Sequence, residues 1–414
     1  MCIIESMAKR QSSKLRLFAS LLILGLVALY IGLCLLLPVR ALRVQKPASF
    51  LNITTTQSNL PWPNYGEAAV GLIGSGTIAI HGEQTPKPIA SVAKLITALA
   101  VLKKYPLTLG QQGPNITLDS TDYSIYVNYV NEQGSVVPVY TGEIMSEYQM
   151  LEAMLVPSGN NIADALARWA YGSISAYDAF ANSFVKQLGM NDTTVGGDAS
   201  GFSPLTTSTA NDLIILAEHV MANPVLAQIV KMKSVNVPNV GIMTNYDSSI
   251  LGVDNIVGIK TGNSSQAGGV FLGAAAINVN SKPVTVLTAI MGAPQLSNAI
   301  SDTVPLIISL ENDFSQTVLL SKGEVLGEFK QPWGGSVQIT VAKDLTNYLL
   351  QGQSTKVELN LYSLKIPSRA GTIIGSVNAE ANQLSPQTSE PLITVNTTTE
   401  PSNIFRLTHP WIIL

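Results

Sequence analysis

Pro88-Ile89-Ala90-Ser91-Val92-Ala93-Lys94-Leu95-Ile96-Thr97-Ala98-Leu99-Ala100-Val101-Leu102 is the stretch on which the fold turns. Ile89, Val92, Leu95, Ile96, Leu99 and Leu102 recur at helical spacing behind a proline, so a buried helix is predicted to start near Ser91. Ser91 and Lys94, three apart, then share one helix face, and the amine reaches the hydroxyl. Free N–H groups and the positive end of the dipole at a helix start suit a developing oxyanion. An ordinary lysine is protonated at neutral pH and is no base. Burial among Ile89, Leu95 and Ile96, with a second cation nearby, would depress its proton affinity.

Two further short patterns follow: Ser158-Gly159-Asn160 and Lys260-Thr261-Gly262. Ser-x-x-Lys, Ser-x-Asn and Lys-Thr-Gly in this order are a recorded catalytic set. Each is weak alone, since Ser-x-x-Lys recurs at Ser6/Lys9 and Ser183/Lys186, and Ser-x-Asn at Ser234/Asn236 and Ser376/Asn378. The bland reading of any one is a surface hydroxyl or a cap, and Asn160 could cap the run Ile162 to Trp169. Context singles out three of them: a buried helix start, a break between helices and a strand end. Lys260 is a candidate for the second cation, or for attracting a substrate carboxylate beside the Thr261 hydroxyl. Gly262, Gly268 and Gly269 are predicted to leave room for a peptide along the strand edge. Ser158 would relay a proton to a leaving amine, and Asn160 would bind substrate backbone.

Around these motifs, Ala68 to Ile73 and Thr77 to Ile80 flank Gly74-Ser75-Gly76 as a hairpin. The glycine cluster lacks the Gly-Lys-Ser/Thr of a phosphate loop. Residues 146 to 222 read as helices. Val257 to Lys260, Gly269 to Ile277 and Val284 to Met291 read as strands, so both ends of the segment are predicted to join in one sheet. The class is α+β. From 316 to 378, short strands such as Val318 to Leu320, Val325 to Phe329, Val337 to Val341 and Val357 to Leu361 predict a small all-β domain. Residues 379–414, rich in Ser, Thr, Pro and Asn, read as a flexible tail.

The chain has 414 residues, 46% of them hydrophobic and 12% charged, with mean hydropathy +0.27. That balance calls for a membrane segment, and Leu17 to Leu37 has no charged side chain. As a helix it is about 30 Å long, enough to cross a bilayer core. Lys9, Arg10, Lys14 and Arg16 precede it, so residues 1–16 are predicted to be cytoplasmic, 17–37 the anchor and 38–62 a Thr/Asn/Pro stalk. Arg40, Arg43 and Lys46 weaken the asymmetry without reversing a first helix. A cleaved leader ending at Ala41 fits less well, because the apolar run is too long and Arg40 stands between Val39 and Ala41.

Setting aside residues 1–46, with seven basic residues and one acidic, leaves 17 Lys/Arg and 26 Asp/Glu. A net charge of −9 argues against nucleic acid. Cys2 and Cys34 are the only cysteines, so the exported part holds no internal disulfide. His81, His219 and His409 are isolated, and the reading implies no metal and no cofactor. The Asn-x-Ser/Thr triplets at Asn52, Asn115, Asn191, Asn263 and Asn396 read as chance.

With Leu188 to Thr193, Ala199-Ser200-Gly201, Ser208 to Asp212 and Ala370-Gly371 to Val377 added, about three quarters of the chain resembles the serine-type D-alanyl-D-alanine carboxypeptidases. These are the low-molecular-mass penicillin-binding proteins. The resemblance implies a serine β-lactamase/DD-peptidase-like fold, an antiparallel sheet with a helical subdomain, over residues 63–315. It implies Ser91 as nucleophile, Lys94 as acylation base and Ser158 with Asn160 as second motif. Lys260 with Thr261 would form the carboxylate site, Gly262 and Asn263 would also bind substrate, and the N–H groups of Ser91 and Asn263 would form the oxyanion hole. Ser264 departs from the family, which has Thr there. The implied partners are peptidoglycan stem peptides, β-lactam antibiotics as acylating inhibitors, and the membrane. A class A β-lactamase shares the motifs but needs a Glu after the second one. None lies between Asn161 and Ala217, although Asp192 or Asp198 could substitute. A wall-binding scaffold without turnover is the other competing reading.

Overall fold

A computed structural model describes residues 2–43, 50–54, 60–279, 282–350, 354–381 and 387–412. Much of the expected stalk, residues 382–386 of the expected tail and the side chains of Lys9 and Arg10 lie outside the described residues. The chain divides into two compact units, one of residues 56–315 with 349–353, the other of 1–55, 316–348 and 354–414.

In the first unit, β2 (Glu67–Leu72) and β3 (Gly76–His81) form the expected hairpin. β4 (Ile256–Ser264), β5 (Gly268–Val279) and β6 (Lys282–Ala293) complete a five-stranded antiparallel sheet in the order β4-β5-β6-β2-β3. The strands from both ends of the segment meet where β6 pairs with β2. α7 (Ala210–Ala222) and α9 (Leu296–Asp313) pack on opposite faces of the sheet. The helical subdomain comprises α2 (Ala93–Lys104), α3 (Ser120–Asn131), α4 (Glu147–Leu155), α5 (Asn160–Tyr171), α6 (Ile174–Gln187) and the short α8 (Pro224–Ile229).

Ala93 to Leu102 of α2 are buried on every side. That is what a helix apolar all round requires, and it makes α2 the axis on which α4, α5, α6 and α7 converge. The helix starts are written in the sequence. Asp119 and Ser146 close capping boxes, and Ser173, Thr209 and Asn223 accept backbone N–H groups of their first turns.

Glu147, the first residue of α4, is fully buried, with neither carboxylate oxygen hydrogen-bonded. Burial pushes it up to about 7. The folded chain therefore holds a proton there that the unfolded chain releases near 4.5, so stability falls as pH rises across that window, by on the order of 2–3 kcal/mol. Glu147→Gln is expected to unfold at a higher temperature than the parent at pH 8 and at nearly the same temperature at pH 5. An equal difference at both values would remove this account.

In the second unit, α1 (Cys2–Leu36) extends back through the expected cytoplasmic tail. Its Lys14–Leu36 portion is long and apolar enough to cross a membrane. A six-stranded antiparallel sheet follows the order β1-β9-β10-β11-β8-β7. Its strands are β1 (Phe50–Thr54), β7 (Val325–Lys330), β8 (Ser336–Val341), β9 (Ser354–Leu361), β10 (Ile373–Ala379) and β11 (Thr388–Thr394).

Two expectations are corrected here. The segment from 38 to 62 is not all stalk, because Phe50–Thr54 pairs along β9 with Leu51 and Ile53 turned inward. Within the expected flexible tail, the described residues 387–412 carry regular structure. β11 lies inside the sheet between β10 and β8 with Leu392 buried, and α10 (Asn403–Thr408) follows. In both stretches Thr and Ser, read as loop formers, occupy strand positions.

Candidate active site

A 3₁₀ turn, Ala90–Val92, delivers Ser91 just ahead of α2, so the regular helix starts two residues later than the apolar periodicity predicts. Two glycines admit this turn. A Cβ on Gly201, whose φ is +73°, would stand 2.1 Å from the Ala90 carbonyl oxygen, and one on Gly262 2.6 Å from that of Ile89. The space at Gly262 is thus filled by the chain itself, and Gly269 is packed against Gln295 and Leu296. These glycines do not leave room for a peptide, as the spacing had predicted. β4 is an outer strand of its sheet.

Lys94 is wholly buried, and its Nζ lies 2.8 Å from Ser91 Oγ, 2.7 Å from Asn160 Oδ1 and 3.0 Å from the Ser200 carbonyl oxygen. Burial holds the amine well below its ordinary proton affinity, and the charge on Lys260 acts in the same direction. Asp198 and Asp164 oppose them without prevailing. Asn160 begins α5, but Gly159 is the N-cap and makes no side-chain cap bond. The capping alternative for Asn160 is therefore replaced by its bond to Lys94.

Ser158 precedes α5 at φ +62°, a conformation that costs a serine of order 1–3 kcal/mol. Its hydroxyl is buried without a hydrogen-bond partner. Lys260 lies within β4, also buried and with no partner for Nζ. A buried polar group left unsatisfied in this way is rare in folded proteins. Ser91, Ser158, Asn160, Thr261, Gly262 and Asn263 line one cleft of about 700 Å³. The three motifs, dispersed in sequence, converge there.

Sequence reasoning did not assign three supporting acids. Asp198 spends both oxygens on its own loop, accepting from Ser200 N and Oγ, Phe202 N and Ser203 N. It thereby holds in place the loop whose Ser200 carbonyl meets Lys94. Asp164, one turn beyond Asn160, accepts from Ala199 N and the Tyr129 hydroxyl. Burial and the charge of Asp198 push it up to about 6. Asp247 is fully buried and faces Lys260 and the Thr261 hydroxyl and N–H. Burial raises it, and Lys260 is the main influence pulling it back. The Asp-x-Ser pattern of 198–200 is a legible Asx turn. Nothing in the sequence around Asp247 marks it as facing Lys260.

A five-stranded antiparallel sheet, a helical subdomain and a Ser-x-x-Lys turn between them define the serine β-lactamase/DD-peptidase-like class. The profile of the peptidase S11 family, described as D-alanyl-D-alanine carboxypeptidase, matches residues 74–295, more than half of the chain, and the chain belongs to that family. It is 29% identical over 204 residues to a D-alanyl-D-alanine carboxypeptidase of Mycobacterium tuberculosis, covering 48% of this chain and 66% of that protein. Another of Haemophilus influenzae is 25% identical over 237 residues, covering 54% and 58%. The matched stretches thus span less than two thirds of these relatives' lengths. Penicillin binding protein 5 from Haemophilus influenzae shares the fold, with a TM-score of 0.56 at 20% identity over 84% of this chain and 100% of that one.

Proposed function

We propose that the protein is a serine-type D-alanyl-D-alanine carboxypeptidase that trims the terminal D-alanine from peptidoglycan stem peptides, and that β-lactams acylate the same serine. The observation that carries this reading is the buried Lys94 amine 2.8 Å from Ser91 Oγ, its proton affinity depressed. Neutral Lys94 takes the Ser91 proton as Oγ attacks the carbonyl carbon of the penultimate D-alanine. The N–H groups of Ser91 and Asn263 receive the oxyanion. The C–N bond then breaks, and the Ser158 hydroxyl passes a proton from Lys94 to the departing D-alanine amine. Water hydrolyses the ester and restores Ser91. The substrate's terminal carboxylate meets Lys260 and Thr261, which supplies the partner that the Lys260 ammonium lacks, and Asn160 holds substrate backbone.

The same proposal places Lys14–Leu36 across the cell membrane as a single span, with the N-terminus cytoplasmic and the catalytic unit outside. The basic residues ahead of that helix and its apolar length support this.

Incubating the purified protein with a fluorescent penicillin and mapping the adduct by peptide mass spectrometry tests the catalytic reading. A stable adduct on Ser91, absent from Ser91→Ala, is expected. Intact drug with no adduct favours the non-catalytic scaffold, and consumed drug with no adduct favours a β-lactamase.

A further inference from the structure

The last turn of a helix leaves carbonyl groups without intrahelical donors, and the dipole there favours a cation. At the end of α1 the cation comes from 371 positions further along the chain. Arg406 of α10, its side chain only 8% exposed, donates Nη1 to the carbonyl oxygens of Leu35 and Leu37 at 3.2 and 3.1 Å. Its Nη2 pairs with Glu400 at 3.1 Å. One turn back, the Tyr30 hydroxyl donates to the Leu407 carbonyl at 2.5 Å, and beyond the helix Arg40 N–H donates to that of Ile412 at 3.4 Å. Residues 400–412 are thereby fastened to the end of the apolar helix at several points.

What surrounds this clasp is not explained by capping. Leu36, Ile404 and Trp411 are 85%, 76% and 64% exposed, at the level where the apolar surface of α1 ends. His409 stacks on Phe405 with ring centres 4.1 Å apart, and Trp411 meets the edge of His409 at 5.1 Å. Arg40 and Arg43 stand exposed just past the helix. Aromatic rings with apolar bodies, next to arginines at the end of a membrane-length helix, are the composition of a headgroup-level belt. The patch also continues the apolar surface of α1 instead of forming a separate island.

We propose that residues 400–412 form an interfacial collar: they clasp the end of α1 and seat Trp411 and Ile404 in the headgroup layer of the bilayer. The occupant of the patch is lipid, and the inference rests on Lys14–Leu36 spanning the membrane. It adds a second, distant stretch of chain to that attachment.

The test reconstitutes the full chain into phosphatidylcholine/phosphatidylglycerol liposomes in which some lipids are brominated near the headgroup end of the acyl chain. Flotation reads the anchor, and tryptophan quenching reads the collar. The expected result is flotation with partial quenching, the quenchable fraction being lost in Trp411→Phe while Trp62, Trp169 and Trp333 continue to emit. Arg406→Met, which unfastens the segment without touching the ring, is expected to float and to lose the same fraction. Flotation with quenching unchanged in Trp411→Phe overturns the collar and leaves the anchor standing. Trp411 shielded from acrylamide yet unquenched by bromolipid overturns it in favour of a protein contact. Failure to float removes the anchor reading and the collar with it.

Discussion

Lys94→Arg is expected to slow acylation of Ser91 by about 10²–10⁴-fold, the usual worth of a positioned base. A guanidinium keeps its proton at any working pH, so the substitution keeps a donor at the site, removes basicity and fixes a charge where burial disfavours one. Lys94→Met removes the donor as well. It strips Asn160 Oδ1 and the Ser200 carbonyl of a buried donor, at about 1–3 kcal/mol for each group left unsatisfied. Acylation lost in both variants, including at temperatures where thermal unfolding shows each still folded, separates the base from the strut. The pH dependence has a definite sign. The wild-type rate constant for penicillin acylation is expected to rise with pH as Lys94 releases its proton, at values well below the 10.5 of an ordinary lysine. Because the folded chain binds fewer protons on Lys94 and Lys260 than the unfolded chain does, stability rises with pH from their depressed folded values toward 10.5. Lys94→Arg acylating within a few-fold of wild type would show that another group takes the proton.

The sheet and the three motifs were legible in sequence because they depend on short-range pattern. The apolar period of Ile89 to Leu102 specifies a helix that can only be buried, and the Val/Ala/Gly runs after Val257 fit a sheet packed on both faces. The second unit was half legible. Val337 to Val341 announces a strand by its alternation, whereas Thr388–Thr394 and Phe50–Thr54 hide their registers behind a loop-like composition of Thr, Ser, Asn and Pro. Ser91 and Lys94 could be paired from their spacing alone. The link from Lys94 to Asn160, 66 positions away, and to the Ser200 carbonyl, 106 away, exists only once α2, α5 and the 198–203 loop pack together. Asp247 was invisible for the same reason. Its significance is the buried ammonium it faces from another element, and no local pattern encodes that.

Asp247→Asn is expected to raise KM for a D-alanyl-D-alanine peptide by roughly 10-fold or more at neutral pH while changing kcat less, a loss of about 1.4 kcal/mol per tenfold in binding. Burial lowers the proton affinity of Lys260, and Asp247 is the charge that counters it. Without that charge the ammonium is buried with neither a hydrogen bond nor a counter-ion, a state that proteins relieve by releasing the proton. A neutral Lys260 no longer attracts a carboxylate, so the alkaline limb along which binding weakens is expected to move to lower pH in the variant. Loss of the Lys260 charge also removes one influence that depresses Lys94, so the base is expected to hold its proton to higher pH and the acid limb to shift upward. The two limbs approach each other, and the bell narrows from both sides. A merely structural role for Asp247 predicts otherwise: a uniform fall in activity with the shape of the profile kept. Asp247→Glu, which restores the charge if the cavity admits it, should recover the width of the bell before the full rate. An unchanged profile width in Asp247→Asn would show that Lys260 keeps its proton without help from Asp247.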